Sequence, residues 1–133
     1  MFCRKFILFF VFVTVVSTVS AKDSTMSFVL TDEAQVKAGR ISDIEVELKR
    51  SFSDAASSDD YKLRACVGNY FGKVNGLAAS ADGIVSQITL LLMSGKMLEA
   101  HFQMSALDGL VDIAEQASVK ARSCRKADRN KRM

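Results

Sequence analysis

A chain of 133 residues, 49% hydrophobic and 25% charged, is large enough to bury one core and offers no sign of a second domain. It contains no Pro, no Trp and only seven Gly, which removes the usual punctuation of β-rich folds and leaves long uninterrupted helices as the expectation. The expected fold class is therefore all-α, an antiparallel helical bundle of three to four helices.

The first 21 residues are set apart by their pattern. Arg4 and Lys5 precede the apolar run Phe6 to Val16, and Val19-Ser20-Ala21 supplies the small residues a signal peptidase accepts. The expected cut follows Ala21, and the run of about 11 residues is short of the ~20 needed to span a bilayer. Residues 1–21 are thus expected to be a signal peptide, and 22–133 a helical bundle domain with a basic C-terminal tail. Export without stable membrane insertion after cleavage would remove Cys3 and leave Cys66 and Cys124 in an oxidising compartment, where pairing is favoured.

Lys22 to Thr31 has the look of a short polar lead. Thr31, followed by Asp32 and Glu33, has the cap and first-turn acids that begin a helix. That helix is expected to run to about Phe52 with an apolar stripe of Ala34, Ala38, Ile41, Ile44, Leu48 and Phe52. Glu45 with Lys49, and Glu47 with Arg50, form acid-before-base pairs on its wetter side. Ser53 to Asp60 is a loop by composition, and Ser58-Asp59-Asp60 suits a cap for the next helix.

From Asp59 to Met93 the pattern is helical throughout. Leu63, Val67, Tyr70, Val74, Leu77, Ala81, Ile84, Ile88 and Leu91 step by three or four. One helix of about 50 Å and a helix broken at Gly76 or at Asp82-Gly83 both accommodate the spacing, and a break near Gly83 would make four helices. Ser94-Gly95-Lys96 interrupts the pattern, with Gly95 suited to a helix end. A second arm then carries Met97, His101, Met104, Leu107, Val111, Ala114, Ala117 and Ala121 at the same spacing. Cys66 precedes Gly95 by 29 positions and Cys124 follows it by 29. In antiparallel helices of equal rise these positions arrive side by side, so a disulfide is expected across the open end of the hairpin.

Charge is uneven. Without residues 1–21 the chain has 16 bases and 15 acids, a net of +1, and seven of those bases lie between Lys120 and Arg132. The tail cations Arg125, Lys126, Arg129, Lys131 and Arg132 either complement a solvated helix end or contact an anionic polymer. Nucleic acid is not an expected partner, since no aromatics interleave with these cations. Few groups suit catalysis. His101 is the lone histidine and sits on the expected apolar stripe, with no second His or nearby Cys to complete a metal set. Asp59-Asp60, and Asp108 with Asp112, are ordinary helix-cap and polar-face features, and no phosphate loop or nucleophile elbow occurs. The expectation is a protein that is not an enzyme and takes no cofactor or metal.

The spacing of Ile44, Leu48, Leu63, Cys66, Tyr70, Val74, Leu77 and Ala81 resembles the plant invertase and pectin methylesterase inhibitor family, most of all in DYKLRACVGNYFGKVNGLAASA. In that family a Leu-x-x-Cys-x-x-x-Tyr pattern begins a bundle helix, a small-residue segment like Met104-Ser105-Ala106-Leu107 follows, and a last cysteine, here Cys124, closes a disulfide. The family's N-terminal hairpin has no counterpart here, the interval from Cys66 to Cys124 is longer than typical, and the Pro-Lys-Phe element linked to invertase targeting is absent.

The resemblance implies a secreted inhibitor in the apoplast or cell wall. Its partner would be a pectin methylesterase or invertase, the former being favoured, with pectin itself contacted through the basic tail. Tyr70 would serve either as a partner contact or in the core. The alternatives are a relative that keeps the fold without inhibition, and a carrier whose small apolar ligand lies in a cavity lined by Met93, Met97, Phe102 and Met104.

Overall fold

The structure, a computed structural model, describes residues 2–132, with side chains described from Met26 to Lys131. The apolar run Phe6 to Val16 and the cut expected after Ala21 involve side chains outside the described residues. Three helices follow one another: α1 (Phe2–Ala56), α2 (Tyr61–Met93) and α3 (Met97–Arg132). No strand occurs among the described residues.

Helix α1 does not begin at Thr31. Instead of capping, Thr31 Oγ1 donates to the carbonyl of Ser27 at 2.8 Å, the back-bond a threonine makes inside a helix. The loop after α1 is shorter than expected, because the helix continues through Asp54 to Ala56. Asp60 does cap α2: its Oδ1 accepts from the backbone N–H groups of Lys62 at 2.9 Å and Leu63 at 3.3 Å.

Helix α2 is unbroken over 33 residues. A glycine inside a helix costs only about 1 kcal/mol, less than tertiary packing along the same helix returns. Gly83 therefore leaves the helix intact, and the bundle has three helices.

Gly95 ends the hairpin arm at φ 73°, the left-handed conformation that favours glycine. Its N–H donates to the Leu92 carbonyl at 3.1 Å, and the Lys96 N–H donates to that of Leu91 at 2.8 Å. This paired pattern satisfies the last carbonyls of α2. The chain then reverses into α3.

The buried positions recur every seven residues. In α2 they are Val67, Val74, Ala81 and Ile88, with the half-buried Tyr70, Leu77, Ile84 and Leu91 between them. Helix α1 offers Leu30, Ala34, Ile41, Ile44, Leu48 and Ala55 at the same stepping, and α3 offers Ala100, Met104, Leu107, Ala114, Ala121 and Cys124. A seven-residue period keeps the seams in contact when helices wind left-handedly about one another. By length and composition α2 could cross a membrane, but its apolar seam faces α1 and α3. Its outward face carries Asn69, Lys73, Asp82 and Gln87.

Helices α1 and α3 run parallel although they are not consecutive. Their ion pairs repeat by heptads: Arg40 Nε to Glu115 Oε1 at 3.3 Å, and Arg122 Nη2 to Glu47 Oε1 at 3.0 Å. Among the described residues Glu47 pairs across the bundle with Arg122, in place of the Arg50 partner expected on its own helix. The surface pairs contribute little energy each. Their regular offset nevertheless marks a single register between α1 and α3.

Candidate functional site

The two ends of the bundle differ in chemistry, and the disulfide marks one of them. Cys66 and Cys124 are joined across α2 and α3 with Cα atoms 6.1 Å apart. Around the bond, Ala55, Val67 and Cys124 form a small buried cluster against which Phe52, Leu63, Cys66 and Tyr70 pack. Tyr70 is half-buried and packs against both this cluster and the main core. Phe52 stacks on Phe71 with ring centroids 5.8 Å apart.

Above this cluster the loop between α1 and α2 meets the last turns of α3 in an open cleft of about 610 Å³. It is lined by Asp54, Ser57, Ser58, Asp59, Arg125 and Arg129, among others. Arg125 is tied down. Its Nη2 donates to Asp54 Oδ2 at 3.2 Å and to the Ser51 carbonyl at 3.3 Å, which holds the end of α3 against the end of α1. Ser57 Oγ donates to the Asp54 carbonyl at 2.7 Å, and the Asp60 N–H donates to Ser58 Oγ at 3.2 Å, so the loop is bonded to itself.

The Asp60 carboxyl is held below its ordinary range, first by a hydrogen bond shared with Asp128, then by the Leu63 N–H. The Lys62 N–H and the nearby charge of Lys131 act in the same direction, while desolvation opposes them.

The basic tail is not a separate appendage; it is the end of α3, which remains helical to Arg132. Lys126, Arg129 and Lys131 are exposed, Arg129 facing the cleft, whereas Arg125 is committed to Asp54. The side chain of Arg132 lies outside the described residues.

Two further expectations are corrected. His101 is exposed and lies off the seam, where Ala100 and Met104 are buried instead. Both residues fit three-or-four stepping from Met97 and Met104, and the polar ring takes the solvated position. Nor do the methionines line a common cavity: Met104 is buried and Met97 half-buried, whereas Met93 is 80% and Phe102 74% exposed. The carrier reading loses its cavity on that ground.

Among the described residues no group of three or more His, Cys, Asp or Glu could hold a metal ion. The cleft offers hydroxyls, carboxylates and guanidinium groups, a surface for hydrogen-bonded recognition of a polar partner. The sequence missed Asp54 and Ser57, because the last turn of α1 and the turn after it close on the far end of α3, which is distant in sequence. The hairpin register, which brings residue 124 beside residue 66, was the signal that could have found them.

In class the molecule is a three-helix bundle clasped by a single disulfide. Comparison with protein families, with curated proteins and with solved structures finds no match.

Proposed function

We propose that the protein is an exported, non-catalytic binding protein that presents the polar disulfide end of its bundle to a partner, and that the partner is a pectin methylesterase. The observation that carries this reading is the convergence of Leu63, Cys66, Tyr70 and Cys124 in one cluster at that end. These four residues also carry the resemblance to the plant inhibitor family. In this reading they form the framework, and the cleft residues above them make the contact.

Rigidity suits the role. A loop bonded to itself and a helix end fixed through Arg125 have little conformational entropy left to lose on binding. An inhibitor of this kind needs no reacting group, because blocking a substrate cleft requires only surface complementarity and slow dissociation.

The test is an assay of a panel of pectin methylesterases, with an invertase in parallel, against the oxidised protein at about 1 μM, a concentration at which a standard-size interface is commonly occupied. The expected result is inhibition that weakens in the Arg129→Glu variant, whose side chain faces the cleft, and persists in Val119→Ser on the side of α3. A folded, disulfide-bonded protein that inhibits none of the panel would overturn the reading.

A further inference from the structure

Two seams of the bundle treat charge in opposite ways. Where α1 meets α3 the flanking residues are of opposite sign: Lys37 reaches Asp108, Arg40 pairs with Glu115, Glu47 with Arg122 and Asp54 with Arg125. Where α2 meets α3, over the half that carries the disulfide, cations face cations.

Helical phase and the disulfide locate them. Lys62 and Lys131 line a small opening beside Cys66 and Cys124. Lys73 stands seven residues after Cys66 and fourteen before Gln87, which lines the same seam nearer the turn. Lys120 stands seven residues before Ala127 in the opening and twenty-one after Glu99, which lies beside Gln87. Residues at seven-residue spacing share a flank when helices wind about one another, so all four lysines border one seam. All four are exposed.

Because Cys66 is bonded to Cys124, equal rise along antiparallel helices sets residue 70 level with 120 and residue 62 level with 128. Lys73 and Lys120 are then offset by about 4.5 Å along the axis, as are Lys62 and Lys131, and the two pairs lie about 16 Å apart with the disulfide between them. Acids stand only at the outer pair, where Asp60 lies near Lys131 and Asp128 lines the opening. Among the described residues neither Lys73 nor Lys120 has an ion-pair partner.

Flanking positions on neighbouring helices ordinarily hold opposite charges, and like charges there repel. An anion laid between them relieves the repulsion. We propose that this half of the α2–α3 seam binds a linear carboxylated polysaccharide, which crosses the disulfide and is held by Lys73 with Lys120 at one station and by Lys62 with Lys131 at the other. The chemistry of the seam selects that class. A folded acidic protein needs apolar anchors at the centre of its footprint, and none of the exposed large apolar side chains lies between the two pairs. A nucleic-acid strand is held by aromatic faces stacked on its bases, whereas Tyr70, the aromatic at the level of Lys120, is half-buried. Exposed Asn69, between Lys62 and Lys73 on α2, instead offers the hydrogen bonds that sugar hydroxyls use. Of the inhibitor reading only export is required, and the cleft beside Asp54 and Ser57 plays no part.

Binding of the oxidised full chain to oligogalacturonates of graded length, followed by calorimetry at low salt with no enzyme present, tests the proposal. Affinity should rise at least about tenfold once the oligomer reaches from one lysine pair to the other, because the second contact is then intramolecular. Lys73→Gln with Lys120→Gln should abolish that rise. Lys49→Gln with Arg50→Gln removes the same charge from exposed positions on α1 and should leave it in place. The seam variant should also melt no lower than wild type, since it relieves a repulsion, and a lower melting temperature would show that these lysines do not face one another. Equal loss in the two variants, binding that does not depend on length, or no binding at all overturns the proposal. Tighter binding of polyglutamate of matched length would assign the seam to an acidic polypeptide and overturn it as well.

Discussion

Lys37 Nζ lies 2.6 Å from Asp108 Oδ1 and 2.9 Å from Glu33 Oε1, although Lys37 sits in the buried seam of α1 between Ala34 and Ile41. Its aliphatic stem packs in the seam while the ammonium reaches out to α3. A polar residue at such a position favours one register over its neighbours, since a slip would strand the charge.

The pH response of this contact follows from its sign. Hydrogen bonds to Asp108, and then to Glu33, raise the Lys37 pKa above its ordinary value of 10.5. A raised folded-state pKa means that the contribution is fully present below about pH 10.5 and is lost as pH rises through the folded value. Lys37→Met should change stability at pH 7 by no more than about 1 kcal/mol, because Asp108 is largely solvated and screened. The melting-temperature difference between wild type and Lys37→Met, followed from pH 7 to alkaline conditions, should shift in favour of the variant. A difference that stays flat through the alkaline limb would refute the assignment.

Removing the disulfide should cost about 4 kcal/mol by the chain-entropy estimate for a loop closed over 58 positions. Urea unfolding of the double variant Cys66→Ala with Cys124→Ala measures it. The loss should be accompanied by early hydrogen exchange around Ala55, Val67 and Leu63, which pack together only at that end.

Glycines on α2 separate into two kinds. A Cβ at Gly68 would lie 2.9 Å from Phe52 Cε2, and that ring is stacked on Phe71, so it cannot yield without disturbing a second aromatic. At Gly72, Gly76 and Gly83 a Cβ would meet nothing within 4 Å. Alanine at each of these three should raise stability by about 0.5 to 1 kcal/mol through helix propensity. Gly68→Ala should give no such gain. Comparing the four urea midpoints checks this, and a full gain at Gly68 would show that Phe52 is free to move.

Tyr70→Ala should destabilise the fold by roughly 2 to 3 kcal/mol, below the range for a fully buried aromatic because the ring is only half-buried. Any loss of partner binding should track the unfolded fraction. A variant that folds with wild-type stability yet fails to bind would return Tyr70 to a contact role.

Several features of this fold could be read from the chain because they are local or symmetric. Gly95 as a helix end, Asp60 as a cap, and the pairing of Cys66 with Cys124 all follow from residue type and distance along a helix. Thr31 and Gly83 misled because their types are ambiguous. A threonine can cap a helix or bond back within one, and a glycine can end a helix or ride on its open face. Tertiary contacts decide between such states, and those contacts are made by residues far away in sequence. The α1–α3 ion pairs were hidden for the same reason, since Glu47 and Arg122 are 75 positions apart. At the cleft, the tail cations were visible in composition. That Arg125, itself exposed, reaches Asp54 depends on helical phase at the end of α3.

That phase sharpens the expectation for the basic tail. Cutting the chain before Arg125 would remove the Asp54 contact along with the exposed cations, so truncation would confound folding with charge. Replacing Lys126 and Lys131 by Gln removes two exposed positive charges and leaves the Arg125 anchor in place. If the end of α3 holds an acidic polysaccharide, retention on immobilised pectate at low salt should fall by several-fold in this variant. The wild type should lose most of its retention between low and physiological ionic strength, where the Debye length shrinks to about 8 Å. Lys126 and Lys131 do not line the cleft beside Asp54 and Ser57, so binding of a partner enzyme there should be unchanged in the same variant. Retention that is insensitive both to salt and to the two substitutions would leave these cations with only the role of complementing the C-terminal end of the α3 dipole.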